Sequence, residues 1–295
     1  MVKYSSILQG RGLKLSQVQL QALKTSDILS FYGLSEQPFS LSPSSRFFWT
    51  SMQHRACLQK TRYMMDNRQG LATIIADVGM GKTTLLRYLY ELLTADEQNT
   101  TALLVNPQFP SALQFLKAVC GEFGLSTKRS KLEQMNTLNE FLVESYKAGK
   151  NVILLVDEAQ LLVGPQLELI RQFLNFETGR DKLIQIVLTG QLELKTKLKL
   201  KRAVLSRVAI SSTIDALTLD DLSEMIEFRL MVAGRRDPLF TDEAKARIYE
   251  VARGVPREAV KLCQIALTIG AISRVEVIEP DLIQEAVQHI LEVNL

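Results

Sequence analysis

The strongest constraint on the fold is the stretch 71–90, LATIIADVGMGKTTLLRYLY. It begins with an apolar run of strand length, passes through a turn that contains Gly79 and Gly81, and has helical spacing from Lys82 onward. Glycines at these positions let backbone N–H groups surround an anion at a helix N-terminus, and the lysine adds a positive charge. The order of strand, loop and helix predicts a P-loop, the phosphate-binding turn of α/β domains.

The loop departs from the pattern G-x-x-x-x-G-K-[ST] at one position, where Ala76 replaces the first glycine. This position is the predicted strand end, where a methyl group can be accommodated. We predict that ATP contacts the following residues: Val78, Gly79, Met80, Gly81, Lys82, Thr83 and Thr84. The Thr83 hydroxyl is also a predicted ligand of Mg²⁺.

A second motif, NVILLVDEAQ, covers residues 151–160. Its apolar run ends at Asp157 and Glu158, at the strand end where open parallel sheets bind ligands. This is the pattern of a Walker B motif, in which Asp157 holds Mg²⁺ through water and Glu158 polarises the attacking water. A solvated turn carrying two acids is the alternative.

A third apolar run, LIQIVLT, covers residues 183–189 and is followed by Gln191. A polar side chain here would lie between the Walker B acids and the terminal phosphate. We predict that Gln191 has this role, with Thr189 as the second candidate.

The segment 31–54 alternates proline, serine and aromatic residues without a helical or strand period. Its place before the P-loop makes Pro38 and Phe39 candidates for contact with the nucleotide base. Alternatively, these residues only fix the loop to the core.

Strands alternate with helices up to residue 214, and only helical patterns follow. This predicts a five-stranded parallel sheet with helices on both faces, then a small all-helical lid. The predicted division is an N-terminal extension over 1–30, an α/β domain over 31–217 and a lid over 218–295. No stretch approaches the ~18 apolar residues of a membrane helix, so we expect a cytoplasmic protein without a membrane partner.

The net charge of +3 does not by itself indicate a polyanion partner, so nucleic-acid binding would depend on local clusters. One cluster is formed by Lys128, Arg129 and Lys131, and the other covers residues 195–202. A solvated face is the alternative for such a charge run.

These motifs together resemble the AAA+ ATPases. Four segments narrow the resemblance to the ExeA/GspA-type ATPases and the TnsC-like transposition regulators: the segment 31–54, NFET at 175–178, VLTGQLEL at 187–194, and LFTDEAKARIYEVARGVPREAVKLC at 239–263. The resemblance extends over about residues 31–275.

The resemblance implies two further catalytic residues. Arg257, in GVPR, matches the sensor 2 arginine that reaches the γ-phosphate from the lid. Arg207, in LSRV, matches the arginine finger that acts on the nucleotide of a neighbouring subunit, with Arg202 as the next candidate. ATP would then lie between subunits of a homo-oligomer, either a ring or a helical filament.

The resemblance leaves two functional classes. A TnsC-like regulator would coat double-stranded DNA in its ATP state, recruit transposase and a target-selection protein, and disassemble on hydrolysis. In that class the DNA contacts would be Thr127, Lys128, Arg129 and Lys131, with residues 195–201 as weaker candidates. An ExeA-like secretion ATPase or another AAA+ assembly ATPase without DNA binding is the alternative. Secretion members continue after the lid into a membrane span and a peptidoglycan-binding region, whereas this sequence ends at the lid. We therefore expect the first class, the transposition regulator. A replication-initiator clamp loader is disfavoured because no winged helix follows the lid.

Overall fold

The strand that leads into the P-loop, β1, lies inside a sheet of five parallel strands in the order β2-β3-β4-β1-β5. The structure is a computed structural model and describes residues 24–293. The strands are β1 Leu71–Ala76, β2 Asn99–Leu104, β3 Asn151–Val156, β4 Ile184–Gly190 and β5 Val208–Ile214.

The register of the sheet brings the chemical motifs to one edge. Ile75 of β1 pairs with Gly190 of β4, and Val156 of β3 pairs with Leu188 of the same strand. Since all strands are parallel, their carboxyl ends lie together, and the P-loop, the acidic pair and Gln191 each follow one of these ends. The sheet therefore assembles the three predicted motifs.

Side chains of β1 alternate between the two faces of the sheet, as the period of a strand requires. Ala72 and Ile74 pack in the cluster beneath α2 (Met52–Asp66) and α3 (Lys82–Thr94), whereas Leu71 and Ile75 pack in the opposite cluster, with helices from residues 112–200. The helices of this part are α2 Met52–Asp66, α3 Lys82–Thr94, α4 Ala112–Glu122, α5 Lys131–Lys147, α6 Gly164–Phe173, α7 Leu192–Leu200 and α8 Arg202–Leu205. The predicted sheet with helices on both faces is confirmed.

Four helices follow the sheet and form the lid, with a core of their own. They are α9 Leu219–Val232, α10 Asp242–Ala252, α11 Pro256–Ile272 and α12 Pro280–Val293. Gly254, at φ +74°, separates α10 from α11, and a Cβ there would lie 2.2 Å from the carbonyl oxygen of Leu217. Only glycine allows this close approach of the lid to the chain that leaves the sheet.

The segment before α2 packs on the lid. Helix α1, Thr25–Phe31, contacts α11, and the buried side chains of Tyr32, Leu34 and Phe47 belong to the core of the lid. Residues 31–47, which the sequence assigned to the α/β domain, thus share the hydrophobic core of the lid. Residues 1–23 of the predicted extension lie outside the described residues. Among residues 24–293, no helix is long and apolar enough to cross a membrane.

Candidate functional site

The loop between β1 and α3 has the backbone of an anion-binding turn. Gly79 and Gly81 take φ values of +80° and +83°, which L residues rarely adopt. A Cβ on Gly81 would meet nothing within 4 Å, so the space beside this glycine is open. Ala76, which replaces the first glycine of the motif, is 1% exposed at the end of β1, so its methyl group is accommodated there.

Lys82 is the first residue of α3, and its side chain is 5% exposed. Its ammonium donates to the carbonyl oxygens of Ala76 at 2.9 Å and Asp77 at 2.7 Å. Burial lowers the pKa of Lys82, while the carboxylates of Glu158, Asp157 and Asp77 act in the opposite direction. A cation is therefore held at the base of the loop, beside the helix N-terminus.

Asp157 joins the P-loop to the sheet. One of its carboxylate oxygens, Oδ2, accepts a 2.7 Å hydrogen bond from Thr83 Oγ1, and Oδ1 accepts one of 2.8 Å from Thr189 Oγ1. The backbone N–H of Glu158 also donates to Oδ1 at 2.9 Å. Thr83 and Asp157 thus bring two oxygen atoms together, the type of metal ligand that Mg²⁺ prefers. Thr189 fixes the Asp157 carboxylate.

Glu158 follows in the left-handed backbone region, at φ +50°, which is uncommon for a residue with a side chain. Its Oε2 accepts a 3.3 Å hydrogen bond from Gln191 Nε2. Gln191 therefore lies beside Glu158, whereas Thr189 contacts Asp157, and the predicted position of Gln191 next to the terminal phosphate stays a prediction.

The P-loop faces a cleft that the lid and the segment before α2 complete. Its lining comprises Val78 to Thr84, Glu158, Gln191, Ser40 to Pro43, Phe47 to Trp49, His54, Leu217, Met225, Arg229, Pro256, Arg257 and Val260. This arrangement has the shape of a nucleotide site, in which one wall carries the phosphate-binding groups and the other is largely apolar.

The prediction that Pro38 and Phe39 contact the base is wrong. Phe39 is fully buried and packs edge-to-face on Phe240 of the lid, and Pro38 is buried while its carbonyl oxygen accepts from Arg229 Nη1 at 2.7 Å. Both residues fix the segment to the lid core, which was the alternative interpretation. The segment does line the cleft, but through residues further along the chain, including Phe48 and Trp49.

His54 is a cleft residue that the sequence did not identify. Ser51 caps α2 by accepting the N–H of His54, and the Ser51 N–H donates to His54 Nδ1 at 3.3 Å. Burial lowers the pKa of His54 to about 4, so the ring is neutral at pH 7. The spacing S-x-x-H predicts a helix cap, but nothing in it indicates proximity to a cleft formed by residues far apart in sequence.

The lid contributes two arginines to the cleft. Arg257 is exposed, and its backbone N–H donates to the carbonyl oxygen of Gly79 at 3.2 Å. Arg229 is more buried, with its guanidinium 5.7 Å above the ring of Phe47, and burial lowers its pKa to about 10. Arg257 therefore lies against the P-loop, and its contact with the γ-phosphate stays a prediction. Arg229 ties α9 to the segment before α2.

Other predicted site residues lie away from this cleft. Arg207 donates to the carbonyl oxygen of Ala203 at 2.8 Å and to Asn175 Oδ1 at 2.9 Å, and it is not part of the cleft lining. Thr127, Lys128 and Arg129 are exposed in the loop between α4 and α5, and the exposed Lys131 begins α5.

Comparison with known proteins supports the nucleotide site. Residues 65–198 match the AAA domain family. General secretion pathway protein A of Aeromonas hydrophila is 35% identical over 248 residues, which cover 83% of this chain and 45% of the relative. The chain thus spans less than half the length of this curated relative. The predicted resemblance to ExeA/GspA-type ATPases is confirmed at this level, and the resemblance to TnsC-like regulators stays a prediction.

Solved structures give the same fold at lower sequence identity. The ORC2 protein of Aeropyrum pernix has a TM-score of 0.65 at 15% identity, covering 86% of this chain and 71% of that protein. The fold is that of an AAA+ P-loop NTPase. The RuvB branch migration motor of Thermotoga maritima has a TM-score of 0.53 at 18% identity and covers 79% of this chain and 68% of that protein. Drosophila ORC bound to DNA has a TM-score of 0.63 at 17% identity, covering 96% of this chain and 72% of the matched chain.

Proposed function

We propose that this chain is a Mg²⁺-dependent ATPase that binds ATP between the P-loop and the lid. The observation that carries the proposal is the 2.7 Å hydrogen bond between Thr83 Oγ1 and Asp157 Oδ2, directly beside the buried Lys82. It joins the two nucleotide motifs, which are 74 positions apart in the chain. In this proposal, Lys82 would bind the phosphates while the neighbouring oxygen atoms of Thr83 and Asp157 would bind the metal.

Each residue of the site then has a distinct role. The N–H groups of residues 78–84 and the Lys82 ammonium bind the phosphates, and Arg257 adds a second positive charge from the lid. Thr83 and Asp157 would hold Mg²⁺, which neutralises charge on the phosphates when bound. Glu158 accepts a proton from the attacking water, and Gln191 orients the Glu158 carboxylate.

We also propose that ATP hydrolysis takes place in a homo-oligomer, a ring or a filament. The Arg207 guanidinium is bonded on its own subunit to Ala203 and Asn175 rather than to the cleft. A finger that acts on the nucleotide of the neighbouring subunit would explain why this arginine does not line its own site.

The relative named as a secretion-pathway protein favours the role of a secretion-type or other AAA+ assembly ATPase. At 35% identity over 248 residues, this similarity is more specific than the structural similarity to ORC proteins at 15–17% identity. The sequence-based expectation placed a transposition regulator first, and the secretion relative favours the alternative. We place the ATPase in the cytoplasm or against the inner surface of a membrane.

Binding of double-stranded DNA is a second candidate function, supported by the loop between α4 and α5. Lys128 and Arg129 are exposed there, and buried Gln134 holds the loop by accepting the N–H of Lys128 at 2.6 Å and donating to the carbonyl oxygen of Ser126 at 3.2 Å. A fixed loop carrying cations suits contact with DNA phosphates. With this function, the partners would be a transposase and a target-selection protein.

The ATPase proposal is tested with Lys82→Ala and Glu158→Gln. Lys82→Ala should lose ATP affinity, because it removes the cation from the loop. Glu158→Gln should bind ATP but hydrolyse it slowly, because a carboxamide is a poor base. The measurements are ATP binding by calorimetry and phosphate release with and without Mg²⁺. An equal loss of ATP binding in both variants would contradict the assigned roles.

The DNA candidate is tested by a salt titration of duplex binding, with and without a non-hydrolysable ATP analogue. Each phosphate contact should contribute about 0.9 to the slope of log K against log salt. Lys128→Ala combined with Arg129→Ala should lower affinity and reduce the slope by about 2. The matched control is Lys147→Ala with Lys150→Ala, two exposed lysines outside both basic clusters. An absence of ATP-dependent duplex binding at low salt would leave only the assembly ATPase.

A further inference from the structure

The short turn after Glu158 folds back so that one of its side chains contacts the Glu158 carboxylate. Residues Ala159–Leu161 form a short 3₁₀ turn, and buried Gln160 points its carboxamide toward Glu158. Gln160 Nε2 donates to Glu158 Oε2, the same oxygen that Gln191 Nε2 contacts at 3.3 Å. Two carboxamides therefore hold one oxygen of the carboxylate, and neither contacts Oε1.

The other end of the Gln160 side chain is fixed as well. Its Oε1 accepts the backbone N–H of Gln191, the residue directly before α7, at 3.2 Å. A Cβ on Gly190 would lie 2.9 Å from this same oxygen, so the absence of a side chain at the end of β4 makes room for the carboxamide. The amide of Gln160 thus connects the end of β4 to the acid after β3.

A lysine fixes the backbone of the same turn. Lys197 of α7 donates through Nζ to the carbonyl oxygen of Gln160, and to that of Leu162 at 3.2 Å. The turn is therefore held from two sides while Glu158 stays in the left-handed backbone region, a conformation that persists where surrounding contacts enforce it.

From this geometry we propose that Gln160 is a positioning residue for ATP hydrolysis. It holds Oε2 of Glu158 so that Oε1 accepts the proton of the attacking water. This inference rests on the proposed ATPase function and gives a role to the last residue of the motif 151–160, in which only Asp157 and Glu158 had one. Because the contact is to a carboxylate, it is among the stronger hydrogen bonds in proteins, and its loss should allow the acid to rotate.

The first test replaces the donor while keeping the length of the side chain. Gln160→Met should lower kcat for ATP on the order of 10- to 100-fold, because misplacement of a reacting group has effects of this size. The KM and the ATP dissociation constant should stay within about twofold, because Gln160 does not line the cleft and contacts no phosphate-binding residue. Gln160→Asn, which is one methylene shorter, should behave like the Met variant.

The control is Gln172→Met on α6. Gln172 Nε2 also donates to a glutamate, Glu168 Oε1 at 3.3 Å, but this pair lies outside the cleft lining. The control should retain the kcat of the parent. Equal kcat values for the parent, Gln160→Met and Gln172→Met would overturn the proposal, as would a change in KM without a change in kcat.

A double-mutant comparison tests whether Gln160 acts through Glu158. If Gln160 acts through Glu158, then adding Gln160→Met to Glu158→Gln should not slow single-turnover hydrolysis further. A further 10-fold loss would show that Gln160 acts independently of the acid. Thermal unfolding of each variant identifies loss of folded protein.

A final measurement does not depend on hydrolysis. The side-chain amide signal of Gln160 in an NMR spectrum, assigned by its absence in Gln160→Met, should shift in Glu158→Gln, which removes the carboxylate acceptor. An unchanged signal would overturn the contact itself. If the parent protein fails to hydrolyse ATP while this signal shifts, the proposed ATPase function fails but the contact between Gln160 and Glu158 stands.

Discussion

Gly79 and Gly81 provide a quantitative test of how the lid contacts the P-loop. Both glycines have left-handed φ values, so alanine at either position costs about 1–2 kcal/mol in backbone strain. They differ in their surroundings. A Cβ on Gly79 would lie 2.8 Å from Val255 Cγ1 and 3.2 Å from Arg257 Cβ, whereas a Cβ on Gly81 would meet nothing within 4 Å.

Overpacking of this kind costs about 1–3 kcal/mol. Gly79→Ala should therefore lower the free energy of unfolding by about 2–5 kcal/mol, and Gly81→Ala by about 1–2 kcal/mol. Val255→Ala removes the methyl group that the new Cβ contacts. The coupling energy between Gly79→Ala and Val255→Ala should be about 1–3 kcal/mol, and that between Gly81→Ala and Val255→Ala close to zero.

The assay is urea unfolding without nucleotide, followed by circular dichroism and by the fluorescence of Trp49, the one tryptophan of the chain. Coincident transitions by both probes would justify treating the unfolding as two-state. Equal losses of stability in the two glycine variants would refute the reasoning. So would an equal effect of Val255→Ala on both, because the lid would then not contact the loop at Gly79.

Three further predictions concern other parts of the molecule. Mixing Arg207→Ala with Lys82→Ala protein should restore some ATPase activity, because an arginine finger acting on a neighbouring subunit is worth about 10³–10⁵ in rate; mixed oligomers with no gain in phosphate release would place the finger elsewhere. The pKa of His54 is about 4 in the folded chain against 6.5 for an ordinary histidine, so the unfolded chain binds more protons between these values. The free energy of unfolding should thus decrease by about 3 kcal/mol as the pH is lowered from 6.5 to below 4. In His54→Phe, the free energy of unfolding measured across this pH range should not show this decrease. Phe39→Ala should cost about 3–5 kcal/mol of stability because it opens a cavity in the lid core; a change in the preference for ATP over GTP at unchanged stability would contradict its burial.

The strands and the nucleotide motifs could be predicted from sequence because their signals are local. A continuous apolar run such as 151–156 identifies a strand that is covered on both faces, and Asp157 follows it directly in the chain. The same holds for the P-loop, where strand, glycines and lysine are adjacent. The structure confirms the predicted sheet, and it places Thr83 and Asp157 within hydrogen-bonding distance.

The wall of the cleft opposite the phosphate-binding groups could not be predicted, because its residues come from distant parts of the chain. Aromatic residues in the segment 31–54 have no period that shows which of them face inward. Phe39 meets Phe240 across 201 positions, so its burial depends on the fold of the lid. Gln160 was likewise missed, since its partner at the start of α7 is brought close only by the pairing of β3 with β4.

The packing of the segment before α2 on the lid has a mechanical consequence. The chain passes between the lid and the sheet twice, once near residue 50 and again near residue 216, and the two passages meet where Gln53 Oε1 accepts the N–H of Asp215 at 3.0 Å. The two covalent connections between the lid and the sheet therefore lie side by side. A protease that cuts one passage would leave the lid attached through the other, so release of the lid as a free fragment requires two cuts.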